Sequence, residues 1–373
     1  MNKQKLVNDV EYLLKNLPEL HNDLFSLISK EEYINIGKSI IKTIHKRDFK
    51  VETFKLLLLT LFSKIKDPHT TIYLNNITPI HFEWINGNYY PFVVNIENRE
   101  FLLKKLLKIN GVPLEKYFEK IQKYLVFDND ELLKVEYAKS LSNVDFIKQV
   151  TKNDSEDIEY TFEDNEKIIL DKTQRQGKVD QTSIYWIKGN KYLSMKNLYY
   201  LEKYNQALYF RFASCREDPN YPIKKLLEDV KNILNSNPQR IIIDLRNNQG
   251  GDSDVILPVL DQFEKYINDK PNKKVFTLIN RRTFSSGVYD ILEIERRMKT
   301  VLVGQPTGQG MNHFGCVKLF RLPNTKVEIH YSSKYYKFYN NDLHIVPPDV
   351  YIEPELEDYK QGNDIVLNYC LEQ

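Results

Sequence analysis

Residues 241–251, with the sequence IIIDLRNNQGG, decide the fold of this chain. The run from Ile241 to Ile243 is β-branched throughout, which fits a short strand buried on both faces. Gly250 and Gly251 then allow a sharp turn in which main-chain N–H groups can approach a ligand closely. The stretch therefore predicts a buried strand ending at a polar glycine turn. An ordinary strand-to-helix loop of an α/β domain is the alternative.

A second stretch has a related pattern. Residues 275–279 (VFTLI) predict another buried strand, residues 280–287 (NRRTFSSG) a polar turn, and the apolar spacing from 288 to 298 a helix. A strand, a tight turn and a helix together can expose a nucleophilic hydroxyl next to helix N-terminal amides, which favour negative charge. Ser285 or Ser286 could instead cap the helix, the usual role of a serine there.

Several stretches, taken in order, resemble a known protein family. In the C-terminal half they are IIIDLRNNQGGDS (241–253), TLINRRTFSSG (277–287), LVGQPTGQG (302–310), LPNT (322–325) and PPDVYI (347–352). Upstream they are HNDLF (21–25), DPHT (67–70), KINGVPLEKY (108–117) and ALYFRFASCRED (207–218). Together they resemble the S41 serine peptidases, which include the C-terminal processing proteases, the tricorn core and the retinoid-binding protein repeats.

The resemblance and the sequence periodicity together predict three regions. Helical periodicity in residues 1–75 predicts an N-terminal helical domain. Residues 76–180 mix strand-like and helical stretches and resemble the family's PDZ-like or PDZ-remnant region. In residues 181–373 strands alternate with helices, which predicts a layered α/β core, and the resemblance implies the ClpP/crotonase-like version of it.

Composition limits the other functional classes. The 373-residue chain is long enough for roughly two or three domains. Its 53 basic and 51 acidic residues give a net charge of +2, so neither a nucleic-acid nor a membrane partner is expected. The three cysteines show no disulfide or metal spacing, and the N-terminus lacks the apolar segment of a signal peptide. We therefore expect a cytoplasmic protein with no cofactor and no bound metal.

The resemblance implies that Ser285 is the nucleophile, and a serine hydroxyl needs a base to take its proton. In the processing proteases that base is a lysine placed 25 residues after the serine. Here 310 − 285 = 25, and position 310 is Gly310. The chain therefore resembles the branch of the family that lacks the dyad lysine, so another base must serve or there is no catalysis.

His69, in the DPHT stretch, matches the histidine of the tricorn-like branch, and a neutral imidazole is suited to taking and returning a proton. The alternative is a histidine that caps the end of a helix. Tricorn relays from its histidine through a serine, but Pro68 stands at that position here. The group that orients the histidine therefore stays open among Asp67, Glu328 and Asp342. His330 and His344 are reserve candidates for the base, although neither lies in a matching motif.

Backbone position predicts the oxyanion donors. The N–H of Ser286, directly after the nucleophile, is one, and the N–H of Gly250 or Gly251 would be the other. Asp244 and Arg246 are interpreted as a structural pair that holds the turn by charge-assisted hydrogen bonds.

Two functions of different classes follow. The first is a serine peptidase that hydrolyses peptide bonds in peptides or unfolded proteins by acyl-enzyme chemistry. The second is a catalytically inactive S41-like binding module for a peptide tail or an apolar ligand. The peptidase is favoured because both TFSS and DPHT are kept. The sequence leaves open whether the chain forms a homo-oligomer.

Overall fold

The computed structural model describes residues 2–170 except 154 and 156, residues 184–186, and residues 197–373 except 342. The chain folds as two compact units. The first comprises Met1–Tyr185 and Asn312–Lys337, and the second comprises Trp186–Met311 and Phe338–Gln373. Residue 181, the predicted start of the core, lies outside the described residues. The assignment of residues 312–337 to the first unit was not anticipated from the sequence.

The α-helices of the first unit are Lys3–Leu20, Lys30–Lys46, Val51–Ile65, Leu114–Ile121, Asp130–Ser140 and Val144–Thr151. Those of the second unit are Ile223–Asn235, Leu257–Asp269, Ser286–Arg297, Leu356–Gln361 and Ile365–Glu372. The strands are β1 (His81–Ile85), β2 (Asn88–Asn95), β3 (Leu106–Ile109), β4 (Val112–Pro113), β5 (Ile158–Phe162), β6 (Lys167–Leu170), β7 (Ile184–Trp186), β8 (Tyr199–Tyr204), β9 (Ala207–Phe212), β10 (Arg240–Asp244), β11 (Lys274–Ile279), β12 (Val301–Gly304), β13 (His313–Arg321), β14 (Glu328–Tyr336) and β15 (Val350–Tyr351).

The first unit has one continuous hydrophobic core. Its sheets have the orders β1-β2-β7 and β4-β3-β5-β6, and β13 and β14 form an antiparallel hairpin. A single cluster of buried side chains runs from Leu6 on the first helix to Leu170 on β6 and includes Tyr331 on β14. The helical region and the middle region, predicted as separate domains divided at residue 75, therefore share a core.

The hairpin is tied to the first unit by backbone and side-chain contacts. The N–H groups of Thr71 and His330 each donate to the other residue's carbonyl oxygen, at 3.1 and 3.0 Å. The buried carboxylate of Asp9 accepts from the N–H groups of Asn324 and Thr325, at 2.8 and 2.7 Å. These partners lie hundreds of residues apart, which is why the local sequence pattern did not reveal them.

The second unit is built on a mixed sheet with the order β15-β12-β11-β10-β9-β8, in which β8 is antiparallel and the other strands are parallel. The residues Ile241, Ile242 and Ile243 on β10 are fully buried. The first and third pack into one hydrophobic cluster, whereas Ile242 packs into another that includes Val366. The predicted strand, buried on both faces, and the α/β class are confirmed.

A buried ion-pair network holds the end of β10. Arg246 donates from Nη2 to Asp244 Oδ2 at 2.6 Å and from Nη1 to Asp364 Oδ1 at 2.8 Å. Tyr209 donates its hydroxyl to Asp244 Oδ2 at 2.6 Å. Asp244 and Arg246 thus have the kind of contacts expected of a structural pair, since charge-assisted hydrogen bonds of this kind fix geometry. Among the described helices, none is both long and apolar enough to span a bilayer.

Candidate active site

Ser285 stands at the junction between the polar turn after β11 and the helix Ser286–Arg297. Its backbone has φ 55° and ψ −128°, a conformation that turns usually reserve for glycine. Its side chain makes no capping hydrogen bond to the helix. Its N–H donates instead to Gln309 Oε1 at 2.8 Å, which helps to hold the strained residue. The helix-capping alternative for Ser285 is therefore not what the structure shows.

The glycine turn after β10 lies directly against this serine. A Cβ placed on Gly250 would lie 2.8 Å from Ser285 Cβ, 2.8 Å from Ser286 N and 3.2 Å from Ser285 Oγ. Ser286 donates its hydroxyl to the carbonyl oxygen of Gly251 at 2.7 Å. Only a residue without a side chain allows the two turns to approach this closely. The structure thus brings Ser285, Ser286, Gly250 and Gly251 together.

The backbone amides of this cluster differ in their partners. The N–H of Gly250 donates to Asn248 Oδ1 at 2.9 Å, so this donor is already engaged. Within the part of the chain that the structure describes, the N–H groups of Gly251 and Ser286 donate no hydrogen bond. The amides of this cluster thus differ in whether an acceptor among the described residues engages them.

Gly310, the position at which the family resemblance places a lysine, is tightly packed. A Cβ on Gly310 would lie 1.8 Å from the carbonyl oxygen of Leu343 and 3.1 Å from the carbonyl carbon of His344. Real Cβ atoms do not tolerate such distances, so no side chain fits at position 310 in this conformation. The local backbone thus requires glycine at this position.

The histidine loop belongs to the first unit and begins where the helix Val51–Ile65 ends. Lys66 takes the left-handed conformation (φ 60°) that stops the helix. The carboxylate of Asp67 then accepts from the N–H of His69 through Oδ1 at 3.0 Å and from the hydroxyl of Thr70 through Oδ2 at 2.5 Å. These bonds form an Asx-type turn, which fixes the backbone that carries His69.

The His69 side chain is buried and has several neighbours. Its Nδ1 lies 4.0 Å from Asp67 Oδ1, too far for a hydrogen bond, while its ring hydrogen-bonds the backbone of Phe314. Its ring also stacks on His313, with centroids 6.2 Å apart. Burial lowers the pKa of His69 below its usual value, and Asp67 and the Phe314 bond only partly oppose this. A buried histidine with a lowered pKa is neutral near pH 7, the state a general base needs.

Asp67 is held by a second histidine that the sequence analysis did not assign. His21 is buried and its Nε2 lies 3.0 Å from Asp67 Oδ2, while its Nδ1 accepts from the N–H of Asp23 at 3.2 Å. The Nδ1 contact assigns the proton of His21 to Nε2, so His21 donates to Asp67. Burial opposes ionisation of Asp67, but the hydrogen bond from His21 and the charge of His69 bring its pKa below the usual value.

Of the predicted orienting carboxylates, Asp67 is the one beside His69. Glu328 is exposed and accepts from Arg321 Nε and Nη2 at 3.0 and 2.6 Å. It pairs with Arg321 at the opposite end of the hairpin from His313, which stacks on His69. Asp342 lies outside the described residues.

The reserve histidines are placed differently. His330 packs edge-on against Tyr73, with ring centroids 4.5 Å apart, and burial lowers its pKa. The backbone of His344 lies against Gly310 in the second unit. The predicted base and nucleophile themselves are in different units, because His69 belongs to the first and Ser285 to the second.

No protein-family model matches the sequence, and a search of curated proteins finds no significant match. Solved structures do match. Mature CPAF complexed with lactacystin superposes with a TM-score of 0.68 at 11% identity, covering 99% of this chain and 97% of that one. A serine-to-alanine mutant of CPAF gives a TM-score of 0.65 at 11% identity, covering 96% and 95%. The chain therefore shares its overall fold, a mixed α/β architecture with a mixed sheet, with CPAF.

Proposed function

We propose that this protein is a serine peptidase that hydrolyses peptide bonds through an acyl-enzyme, with Ser285 as the nucleophile and His69 as the general base. The observation that carries the proposal is the backbone of Ser285. A serine with φ 55° and ψ −128° at a strand-to-helix turn is strained, and such strain persists where the surrounding structure enforces it. The same arrangement exposes the nucleophile of the α/β-hydrolases.

The proposed chemistry follows the general scheme of acyl transfer. Ser285 Oγ attacks the carbonyl carbon of the scissile bond while His69 takes the hydroxyl proton. The oxygen that becomes negative is stabilised by the N–H groups of Ser286 and Gly251. The intermediate then collapses, the amine leaves with the proton returned by His69, and the acyl group stays on Ser285 Oγ. Water, deprotonated by His69, attacks the ester and regenerates the serine.

The environment of His69 supports its proposed role. Its lowered pKa keeps the imidazole neutral near pH 7, which leaves a lone pair for the proton of the serine. Asp67 would act through the backbone turn and its negative charge, since its carboxylate lies 4.0 Å from Nδ1. In this proposal Asp67 is a positioning residue, and the hydrogen bond to Phe314 orients the ring.

Two finer features of the fold belong to the same proposal. We assign the sheet of the second unit to the ClpP/crotonase-like type. The parallel strands support this assignment, and so do the helices that pack against the sheet in each of the two hydrophobic clusters. We assign the β3–β4 turn and the helix Leu114–Ile121 to a PDZ-like or PDZ-remnant region. The turn at Gly111, with φ 75°, and Pro113 before that helix support this assignment.

The test is the hydrolysis, by the full chain, of casein that carries a self-quenched fluorophore. Replacing Ser285 by Ala should lower kcat by about 10⁴-fold or more, because the nucleophile is lost. Ser236→Ala is a matched control, since this serine lies in the same unit and its hydroxyl donates to the carbonyl oxygen of Ile233 at a helix end. Lactacystin, bound to CPAF in its solved complex, should compete with casein. Wild-type protein that is folded but inactive towards casein, or equal activity of Ser285→Ala, would favour the binding module.

A further inference from the structure

A buried polar cluster lies behind the glycine turn. Its members are Asn248, Cys215 and Asp290, and each side chain is completely buried. They come from three separate elements, namely the turn after β10, the loop after β9 and the helix Ser286–Arg297. The proposed chemistry gives none of them a role. Buried polar groups are costly unless they are hydrogen-bonded, so their partners show what the cluster does.

The three side chains form a chain of contacts that ends at the glycine turn. Cys215 Sγ lies 3.2 Å from Asp290 Oδ2 and 3.4 Å from Asn248 Oδ1. Asn248 Oδ1 in turn accepts the N–H of Gly250 at 2.9 Å. Asn248 Nδ2 donates to the carbonyl oxygen of Phe212 at 3.1 Å, which sets the orientation of the amide so that its oxygen faces Cys215 and Gly250.

The protons in this chain decide which of its groups can donate. Burial raises the pKa of Asp290 well above its usual value and also raises the pKa of the Cys215 thiol, so both groups keep their protons near pH 7. The single proton of the thiol is within reach of both Asp290 Oδ2 and Asn248 Oδ1. When the thiol donates to Asn248 Oδ1, the protonated carboxyl group of Asp290 can donate to Sγ instead. Asn248 Oδ1 then accepts from both the thiol and Gly250, which satisfies both of its lone pairs.

The backbone of Cys215 hydrogen-bonds the glycine turn on both sides of Gly251. Its N–H donates to the carbonyl oxygen of Gly250 at 3.2 Å, and its carbonyl oxygen accepts from Asp252 at 2.7 Å. A Cβ on Gly251 would lie 2.3 Å from that carbonyl oxygen. On the other side, the carbonyl oxygen of Asn248 accepts from the N–H of Phe284, directly before the proposed nucleophile, at 2.9 Å. The cluster therefore contacts both turns of the candidate site.

We infer that Asp290, Cys215 and Asn248 are positioning residues of the oxyanion hole. They hold the Gly250 amide away from the substrate and leave the amide of Gly251, with that of Ser286, to bind the developing negative charge. This inference rests on the proposed function, since a hole has a role only if Ser285 is acylated. It adds that the hole depends on a thiol and a carboxyl group that do not touch the substrate.

The chain offers a matched control for the thiol. Cys215 and Cys370 are both completely buried in the second unit. Replacing either by alanine removes one buried sulfur atom and leaves a cavity of similar size. Only Cys215 contacts Asn248. Loss of stability common to both variants therefore reports packing, whereas a difference in reaction rate between them reports the hydrogen-bonded chain.

The experiment measures the rate at which a fluorophosphonate labels Ser285. It also measures kcat and KM for casein hydrolysis, followed by the release of peptides. Removing a hole donor costs about 10²- to 10³-fold in kcat, so a displaced donor should cost about tenfold or more. We expect that loss of labelling rate and kcat, with KM little changed, for Cys215→Ala and Asp290→Leu. Cys215→Ser and Asp290→Asn keep a donor at each position and should recover most of the rate. Cys370→Ala should react like the wild type.

Two outcomes would overturn the inference while leaving the peptidase intact. Either Cys215→Ala labels as fast as Cys370→Ala, or Cys215→Ser and Asp290→Asn are as slow as the variants that lack a donor. If Cys215→Ala does not fold, the soluble serine and asparagine variants still decide the matter. Folded wild-type protein that is not labelled at all would instead refute the proposed function, and the inference would fall with it.

Discussion

The serine turn and the histidine loop are built on different principles. Next to Ser285 the backbone defines the geometry, through the strained φ of Ser285 and a close approach that only Gly250 permits, and the side-chain cluster around Cys215 lies behind it. At the histidine loop side chains define it, through the carboxylate of Asp67 and its bonds to His21 and to the backbone of His69. A backbone-defined site is sensitive to added volume, whereas a network-defined site is sensitive to lost hydrogen bonds and to pH.

The largest effect expected at the histidine loop comes from removing the proposed base. Replacing His69 by Ala should lower kcat by about 10²- to 10⁴-fold, the usual worth of a general base, with little change in KM. His330→Ala is the matched control, because His330 is a reserve candidate whose ring packs on Tyr73 instead. If His330→Ala or His344→Ala lost activity and His69→Ala kept it, the histidine loop would have no catalytic role.

A smaller effect should follow from adding volume at the serine turn. In Gly250→Ala the new Cβ would meet Ser285 Cβ and Ser286 N at 2.8 Å, so both the nucleophile and a hole donor must shift. We expect kcat to fall by about 10²-fold, in the range found for loss of one hole donor. Gly87→Ala is the control, because Gly87 also has a positive φ, 82° against 96° for Gly250, but a Cβ there meets nothing within 4 Å.

The Gly87 control separates backbone strain from the close approach. Both alanine variants should lose some stability, measured by urea unfolding, since alanine is disfavoured at positive φ. Only Gly250→Ala should lose activity. Equal activity losses in the two variants would show that strain alone, and not contact with Ser285, is responsible.

The smallest effect is a shift in the pH profile of the histidine loop. Burial lowers the pKa of His69, so kcat/KM should rise with pH through a midpoint below the ordinary histidine value of 6.5. The charge of Asp67 raises the pKa of His69, so Asp67→Asn should move the midpoint to still lower pH. The midpoint is read from the pH dependence of initial rates at limiting casein, which give kcat/KM, and rates at saturating casein give kcat for comparison. A midpoint that stays at the same pH, or moves to higher pH, would contradict the electrostatic interaction between Asp67 and His69.

Asp67 also links stability to pH. Its folded-state pKa lies below the unfolded value, so its contribution to the free energy of unfolding is complete above the unfolded pKa and is lost as pH falls through the folded one. The free energy of unfolding, measured with urea at acidic pH, should therefore fall less steeply with decreasing pH in Asp67→Asn than in the wild type.

The two regions also differ in how far the sequence could predict them. The serine turn and the glycine turn each lie in a short stretch of sequence, so the buried strand Ile241–Ile243 and the helix after Ser285 followed from local patterns. That the two turns meet was implied by the family resemblance. The engaged amide of Gly250 and the cluster around Cys215 did not, because they depend on which way one side-chain amide points.

The histidine loop was harder to predict, since its partners are distant in sequence. His69 could be singled out from DPHT. His21 lies in the HNDLF stretch, which resembles the family but gave His21 no role, and Phe314 comes from a hairpin that sequence pattern assigns to the other unit. A hairpin carries no local signal for the surface on which it packs. Long-range pairings of this kind, such as Thr71 with His330, come from the tertiary fold alone.

The most direct test of the central claim is the position of the covalent adduct. Full-length protein treated with a fluorophosphonate and analysed by peptide mass spectrometry should carry one adduct, on Ser285, formed more slowly in His69→Ala. An adduct on Ser286 or on a serine outside residues 280–287, or folded wild-type protein without any adduct, would contradict the account.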